Sequence, residues 1–233
     1  MASPRYETAL IVGAGSGLSA SLARLLAGEG MRVALASRNV DKLADLCRQT
    51  GAQAFACDAA DPAQVAGLFE EVERRIGVPD VVVFNASGRT RGPFIGLDPK
   101  EVERSLIVSA YAGFLVGQEA ARRMVANGHG AILFTGASAS VKGYAQSAPF
   151  AMGKFALRGL AQSMARELAP LGIHVGHFVI DGGIRNPGRI EAAEKPDSML
   201  DPDPIAETYL HLLRQPRSAW TWEVELRPWV EKF

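Results

Sequence analysis

The stretch TALIVGAGSGLSASLARLLAG, residues 8–28, decides the fold class. It begins with a short apolar run, passes through Gly13, Gly15 and Gly17, and ends in a segment whose leucines recur at helical spacing. A strand, a glycine-rich turn and an amphipathic helix in this order are typical of the first unit of a nucleotide-binding parallel sheet. The backbone N–H groups of such a turn and the positive end of the helix attract a diphosphate.

The alternation of short apolar runs and helical segments continues along the rest of the chain. Asp61 and Asp98, each followed by a proline, mark helix starts. One continuous helix is predicted from Pro99 to Asn127, and a short last helix from Pro204 to Arg214. Further strands are predicted at residues 32–37, 53–57, 81–84, 131–135, 173–180 and 222–226.

The whole pattern predicts a single domain over residues 1–233. Seven strands with intervening helices, and no linker-like change in composition, favour a doubly wound Rossmann-type α/β fold. We therefore expect a parallel seven-stranded sheet with helices on both faces.

Composition excludes several classes of function. The chain has 25 Lys and Arg against 25 Asp and Glu, so it has no net field to draw it to nucleic acid or to a membrane surface. No apolar run approaches the roughly 20 residues of a membrane span. Cys47 and Cys57 form no CxxC pair, which argues against a disulfide framework or a metal site. We expect a soluble cytoplasmic protein with a small-molecule substrate and no metal.

Over nearly its whole length the chain resembles the short-chain dehydrogenase/reductase family, whose fingerprint is TGxxxGxG. Gly13 and Gly17 match the first two glycines, whereas Val12 replaces the threonine and Ser19 replaces the last glycine. The glycine motif is therefore degenerate. The resemblance implies a nicotinamide dinucleotide as cofactor. It places the cofactor on Gly13, Ser16, Gly17, Leu18, Ser37, Arg38, Asp58, Asn85, Ala86, Lys154, Gly182 and Ile184.

The end of the second strand predicts which dinucleotide binds. A dinucleotide fold that prefers NAD places an acid there to accept the ribose 2′-hydroxyl group, but this chain has Ser37 and Arg38. The Arg38 guanidinium suits the 2′-phosphate of NADP. NADP(H) is therefore the preferred cofactor, with NAD(H) as the alternative. Asp58, just after the third strand, lies where the family contacts adenine.

The family's general acid is a tyrosine four residues before a lysine on a long helix, so that both project from one side of it. In this chain the same spacing occurs as Phe150 and Lys154, without the hydroxyl group. None of the tyrosines of the chain is followed by a lysine four residues later. This pattern is similar to family members that keep the fold and a partial glycine motif but lack the usual tyrosine.

Two other catalytic positions of the family also differ. The serine that polarises the carbonyl is replaced by Ala137, with Ser138 beside it. The asparagine of the proton relay is replaced by Ala110, with Ser109 as its neighbour. Only Lys154 is kept.

Other groups are candidates for the missing acid. Ser138 is a candidate polarising hydroxyl group, and Tyr144 lies in the loop that closes over the nicotinamide in relatives. Asp181, after the sixth strand, is a more remote candidate. His177 lies within that strand between apolar residues, which favours a core or interface histidine.

Two functions remain open at this point. The first is an NADP(H)-dependent oxidoreductase that reduces a carbonyl or a conjugated enone with a rearranged acid. The second is a catalytically inactive NADP(H)-binding regulator or sensor. A purely structural role is disfavoured, because Arg38, Asp58, Asn85 and Lys154 would each need a separate explanation.

The C-terminal segment is rich in large aromatic side chains, at Trp220, Trp222, Trp229 and Phe233. Such rings at a sheet edge favour burial against a second copy. Relatives associate through the long helices on either side of the fifth strand and through this segment, which implies a homodimer or homotetramer.

Overall fold

A seven-stranded parallel sheet forms the centre of the protein in the computed structural model, which describes residues 5–231. The order across the sheet is β3-β2-β1-β4-β5-β6-β7, so the winding reverses between β1 and β4 and opens a crevice at their carboxyl ends. The predicted fold class is confirmed. The strands are β1 Thr8–Val12, β2 Arg32–Ser37, β3 Gln53–Ala56, β4 Val81–Phe84, β5 Gly130–Thr135, β6 Ile173–Ile180 and β7 Glu223–Leu226.

Helices cover both faces of the sheet. Alternate residues of β1 point to opposite faces, so Ile11 and Leu10 belong to two different apolar cores. α1 and α7 pack on the first core, and α3, α5 and α6 pack on the second. The inner strands β1, β4 and β5 are buried over their whole length and almost entirely apolar, as expected of a buried parallel sheet. The helices are α1 Leu18–Gly28, α2 Ala44–Thr50, α3 Pro62–Ile76, α4 Pro99–Leu106, α5 Ala112–Asn127, α6 Ala148–Leu168 and α7 Pro202–Leu213.

Three helices begin at an aspartate followed by a proline. The Asp61 carboxylate accepts hydrogen bonds from the N–H groups of Ala63 and Gln64, which confirms this predicted start. Asp98 caps α4 in the same way. Asp201 caps α7, and this helix therefore begins at Pro202, two residues before the predicted start.

The predicted continuous helix from Pro99 to Asn127 is interrupted. Residues Ile107–Tyr111 form a π-helical segment between α4 and α5. Single π turns inside helices are frequent at functional sites. This segment lies next to the loop that follows β4, where it buries Ser109 completely. Across the described range, no helix combines the length and the apolar character needed to cross a bilayer.

Candidate functional site

Three neighbouring cavities open along the carboxyl ends of the strands. The central cavity, about 380 Å³, lies between the glycine turn, Asn85 and Lys154. The outer cavity, about 640 Å³, lies beside it and is lined by Ser138, Tyr144 and Asp181. The edge cavity, about 300 Å³, lies on the β2 side of the glycine turn. The central cavity shares lining residues with each of the other two, and all three lie at the crevice that the strand order opens.

The glycine turn is held against two strands. The N–H groups of Gly13 and Ala14 both donate to the carbonyl oxygen of Ala36, at the end of β2. Gly13 has φ of +86°, and a Cβ atom there would lie 2.5 Å from the backbone nitrogen of Ala86. A Cβ atom on Gly15 would meet no atom within 4 Å. The turn therefore needs glycine at residue 13 and is open at residue 15.

Ser19 fastens this turn to the loop after β4. Its hydroxyl group donates to the carbonyl oxygen of Gly13 at 3.3 Å and accepts from the Asn85 side-chain amide at 2.7 Å. The Asn85 backbone N–H donates to the carbonyl oxygen of Val12. The Ser19 hydroxyl group thus links the two loops that line the central cavity.

The edge cavity carries two cations. It is lined by buried Ser37 and by exposed Arg38 and Lys42, and no aspartate or glutamate is among its lining residues. Across residues 5–231, neither cation forms an ion pair. Lys42 was not among the predicted cofactor residues. Its position five residues after Ser37, at the start of the next helical segment, is the sequence signal that places a second cation near Arg38.

Most of the predicted cofactor residues come together, but two do not line these cavities. Ser16 is exposed on the glycine turn. Asp58 uses a carboxylate oxygen to accept the Ala60 N–H at 3.1 Å, within its own turn. The central cavity contains Gly13, Gly17, Leu18, Asn85, Lys154, Gly182 and Ile184, and the edge cavity contains Gly13, Ser37, Arg38, Asn85 and Ala86.

Lys154 is buried at the base of the central cavity. Its ammonium group donates to the carbonyl oxygen of Thr135 at 2.8 Å, and only 3% of the residue is exposed. Burial lowers the pKa of Lys154 to about 8, because removal from water disfavours the charged form.

Phe150 lies one helical turn before Lys154, and its ring is close to two cations. Its ring centroid is 5.9 Å from the Lys154 ammonium nitrogen and 4.8 Å from the guanidinium carbon of Arg89. The ring lines both the central and the outer cavity. An aromatic face attracts cations but has no proton to donate.

The candidate hydroxyl groups lie in the outer cavity. Ser138 is half-buried and lines it, whereas the hydroxyl group of buried Ser140 accepts the Ala137 N–H at 3.1 Å. Tyr144 is 43% exposed, and the Lys142 ammonium nitrogen lies 5.7 Å from its ring centroid. The pKa of Lys142 is raised, first by a hydrogen bond to Tyr144 and also by the charge of Asp181.

Ser109 anchors the loop after β4. Its hydroxyl group accepts the Gly88 N–H at 2.9 Å and lies 3.2 Å from the Gly88 carbonyl oxygen. A Cβ atom on Gly153 of α6 would lie 2.7 Å from the Ser109 Cβ atom, so the helix packs closely at this point. Ser109 therefore fixes the backbone of this loop at Gly88.

His177 and Asp181 both lie close to charged side chains. His177 is fully buried, and its Nδ1 lies 3.0 Å from a Glu223 carboxylate oxygen that also accepts from Arg158. Burial lowers the pKa of His177 to about 4, so the ring is neutral near pH 7. Asp181 lies 3.4 Å from Lys142 and 3.6 Å from Arg227.

Comparison with known proteins gives matches to dehydrogenases, oxidoreductases and reductases. A profile of the family described as short chain dehydrogenase matches residues 7–194. A short-chain dehydrogenase from Rhodopseudomonas palustris, known as a crystal structure, is 35% identical and has a TM-score of 0.83 over 97% of this chain and 100% of its own. A metagenomic short-chain oxidoreductase in complex with NADP is 29% identical, with a TM-score of 0.83 over 95% of this chain and 97% of its own. The 1-cyclohexenylcarbonyl-CoA reductase of Streptomyces collinus is 32% identical over 196 residues, which are 80% of this chain and 68% of that protein.

Proposed function

The chain belongs to the short chain dehydrogenase family, and on that premise we propose that it is an NADP(H)-dependent oxidoreductase for a small carbonyl or conjugated-enone substrate. The observation that carries this proposal is the convergence of the glycine turn, Asn85 and Lys154 on one cavity that continues into a second one. The first cavity would hold the cofactor and the second the substrate.

The residues present fit a dinucleotide. Open space at Gly15 and the uncapped start of α1 at Gly17 suit a diphosphate, since backbone N–H groups face it without side chains in the way. When bound, the cofactor supplies or accepts a hydride. Lys154 would hold the ribose hydroxyl groups of the cofactor, and Gly182 and Ile184 line the same cavity.

The preference for NADP(H) rests on the edge cavity. Arg38 and Lys42 place two cations there with no acid among the lining residues, which favours a 2′-phosphate over a bare hydroxyl group. The NADP complex of the metagenomic relative supports the same choice. NAD(H) is the alternative.

This preference is tested by Arg38→Asp. We expect weaker NADPH binding, with NADH binding little changed or improved, in a fluorescence titration. Arg48→Asp is the matched control with the same change of charge, because Arg48 is an exposed arginine of α2 that pairs with Asp45. An unchanged ratio of NADPH to NADH affinity would refute the selector role of Arg38.

Chemistry at this site has to proceed without the usual phenol beside Lys154. We propose that Ser138 polarises the substrate carbonyl and that Tyr144 donates the proton, since both line the outer cavity. With an enone, the Ser138 hydroxyl group would stabilise the negative charge on the substrate oxygen, and Tyr144 would donate the proton to the α-carbon. The name of the Streptomyces relative describes reduction of a cyclohexenylcarbonyl thioester, which supports an unsaturated substrate.

The second candidate function is an inactive NADP(H)-binding regulator or sensor. Phe150 favours it, because a ring close to two cations supplies no acid. Ser109 also favours it, since its hydroxyl group is already bonded to Gly88. General acid catalysis is worth about 10²- to 10⁴-fold in rate, so its loss is large unless another group replaces it.

The two functions are separated by NADPH oxidation with a panel of aldehydes, ketones and enones. The native chain is compared with Ser138→Ala, Tyr144→Phe and Phe150→Tyr. Tyr111→Phe is the control, because Tyr111 is 45% exposed on the π-helical segment. Loss of activity in Tyr144→Phe but not in Tyr111→Phe supports the enzyme. Tight NADPH binding without any turnover, together with activity gained by Phe150→Tyr, would favour the inactive binder.

We further propose that the protein is a homodimer or homotetramer. Large apolar side chains are exposed on two long helices, namely Phe114 on α5 and Met152 and Phe155 on α6. Of the C-terminal aromatic residues, Trp220 stacks on His174, Trp229 is 82% exposed, and Phe233 lies outside the described residues. Light scattering measures the state directly, and a monomer at all concentrations would contradict it.

A further inference from the structure

Three arginines line the outer cavity from two different loops. Arg89 and Arg91 come from the loop after β4, and Arg189 comes from the loop after β6. Across the part of the chain that is described, none of the three lies within ion-pair distance of a carboxylate. All three are exposed residues, and what they share is that they line the same cavity. Their convergence places three positive charges at its wall.

The loop that carries Arg89 and Arg91 is fixed at both ends. Gly88 is held by the Ser109 hydroxyl group, and the Gly92 N–H donates to the carbonyl oxygen of Gln146 at 3.1 Å. Gln146 has φ of +58°, an uncommon value for a residue other than glycine. The two arginines therefore extend from an anchored segment.

Arg189 is also held by its backbone. Asn186 and Arg189 exchange two N–H to carbonyl hydrogen bonds of 2.9 Å around a Pro-Gly turn. Arg185, four residues earlier in the same loop, is bonded to Glu191 and Asp201. The loop therefore neutralises one of its two arginines and leaves the other facing the cavity.

The acids that line the same cavity do not balance this charge. Asp181 already lies near Lys142 and Arg227, and Glu231 is exposed at the end of the described chain. Partial desolvation lowers the pKa of Arg89, and the positive charges of Arg91 and Arg189 lower it further. Three like charges in one cavity repel one another until an anion enters.

We infer that the substrate carries an anionic group, a carboxylate or a phosphate, which Arg89, Arg91 and Arg189 bind in the outer cavity. A planar guanidinium group matches either anion with two parallel hydrogen bonds. Arg89, stacked on Phe150, would hold the anionic group near the cofactor side of the cavity. This inference rests on the proposed function, because it assigns the outer cavity to the substrate.

A competing explanation is that the arginines serve the cofactor. Arg89 and Arg189 line both the central and the outer cavity. Arg91 lines the outer cavity but not the central one. The Arg91→Gln variant therefore separates the explanations: it should weaken anion binding and leave NADPH binding unchanged.

The test is calorimetric titration of NADPH-saturated protein with inorganic phosphate and, separately, with succinate. We expect at least one anion to bind, and Arg91→Gln and Arg189→Gln each to weaken it about tenfold, as for the loss of a hydrogen bond to a charged group. Arg166→Gln removes an exposed arginine from the last turn of α6 and should have no effect. Thermal melts verify that all variants fold, and tighter binding of phosphate or of succinate identifies the anion.

No binding of either anion, or equal weakening by Arg166→Gln, would overturn the inference. Loss of NADPH affinity in Arg91→Gln without loss of anion affinity would overturn it too. If NADPH itself does not bind, the proposed function fails; the same anion titration on the cofactor-free protein then still decides whether the three arginines form an anion site.

A matched pair of probes, benzaldehyde and 4-carboxybenzaldehyde, extends the test to turnover. A lower KM is expected for the aldehyde that carries the carboxylate.

Discussion

Replacement of Lys154 by methionine should change how the stability of the protein depends on pH. The ammonium group is buried, and burial lowers its pKa to about 8 in the folded protein. In the unfolded chain a lysine has a pKa of about 10.4. Between these values the unfolded state binds more protons than the folded state, so the free energy of unfolding rises with pH across this window.

The magnitude follows from the two pKa values. The gap between them corresponds to about 3 kcal/mol of destabilisation, present in full below about pH 8 and absent above about pH 10.4. Methionine has a similar length and no charge, so Lys154→Met removes this cost. It also leaves the Thr135 carbonyl oxygen without its donor, which lowers stability by an amount that does not depend on pH in this range.

Urea unfolding of the cofactor-free protein at pH 7 and pH 10 measures the effect. The stability of Lys154→Met relative to the native chain should fall by about 2 to 3 kcal/mol between these two pH values. Lys100→Met, which removes an exposed lysine from α4, is the control for net charge. Parallel stability curves for the native chain and Lys154→Met over this range would refute the assignment of Lys154 as a buried ammonium group.

Three further substitutions test other parts of the structure. Gly13→Ala should destabilise the fold by about 2 kcal/mol or more, because its Cβ atom would collide with the Ala86 backbone and residue 13 has a positive φ. It should also abolish NADPH binding in a fluorescence titration, and native-like binding would contradict this. Asp61→Ala should cost about 1 kcal/mol in urea unfolding by removing the cap of α3, and a larger loss would indicate a role beyond the cap. Cys57→Ser should leave the rate of thiol labelling at pH 7.5 unchanged, because burial and the nearby Asp58 and Asp61 raise the pKa of the Cys57 thiol to about 11 and keep it protonated. Slower labelling of this variant than of the native chain would show that Cys57 is a reactive thiol.

The sheet and most helix starts were predictable because their signals are local. Strands buried on both faces are continuous apolar runs, and the Asp-Pro pairs at Asp61 and Asp98 supply both a cap and a fixed first residue. The third such pair, Asp201 and Pro202, carries the same signal, and the predicted start of α7 at Pro204 is two residues too late. The π-helical segment at Ile107–Tyr111 was not predictable, because no residue type marks it.

The site was predictable where the chain places residues at strand ends, and less so where side chains meet across loops. Gly13, Asn85 and Lys154 follow from strand order, and the structure brings them to one cavity. The bond between Ser19 and Asn85 and the grouping of Arg89 with Arg189 join residues about 66 and 100 positions apart, and single-sequence patterns do not encode such distances. The use of the Asp58 carboxylate in its own turn is a local preference that competes with ligand contact.

The loop between Gly88 and Gly92 has a consequence for how this protein can diverge. Because Ser109 and Gln146 fix its two ends, we expect this backbone to stay in place when the residues between them are exchanged, with loss only of the hydrogen bond from the Thr90 hydroxyl group to the Glu101 carbonyl oxygen. The bonds that hold the two ends of this loop therefore do not involve the side chains of Arg89 and Arg91, which line the outer cavity. Randomising Arg89, Thr90 and Arg91 alone would therefore sample new substrate preferences in a compact library, on a protein whose sheet and cofactor turn remain untouched.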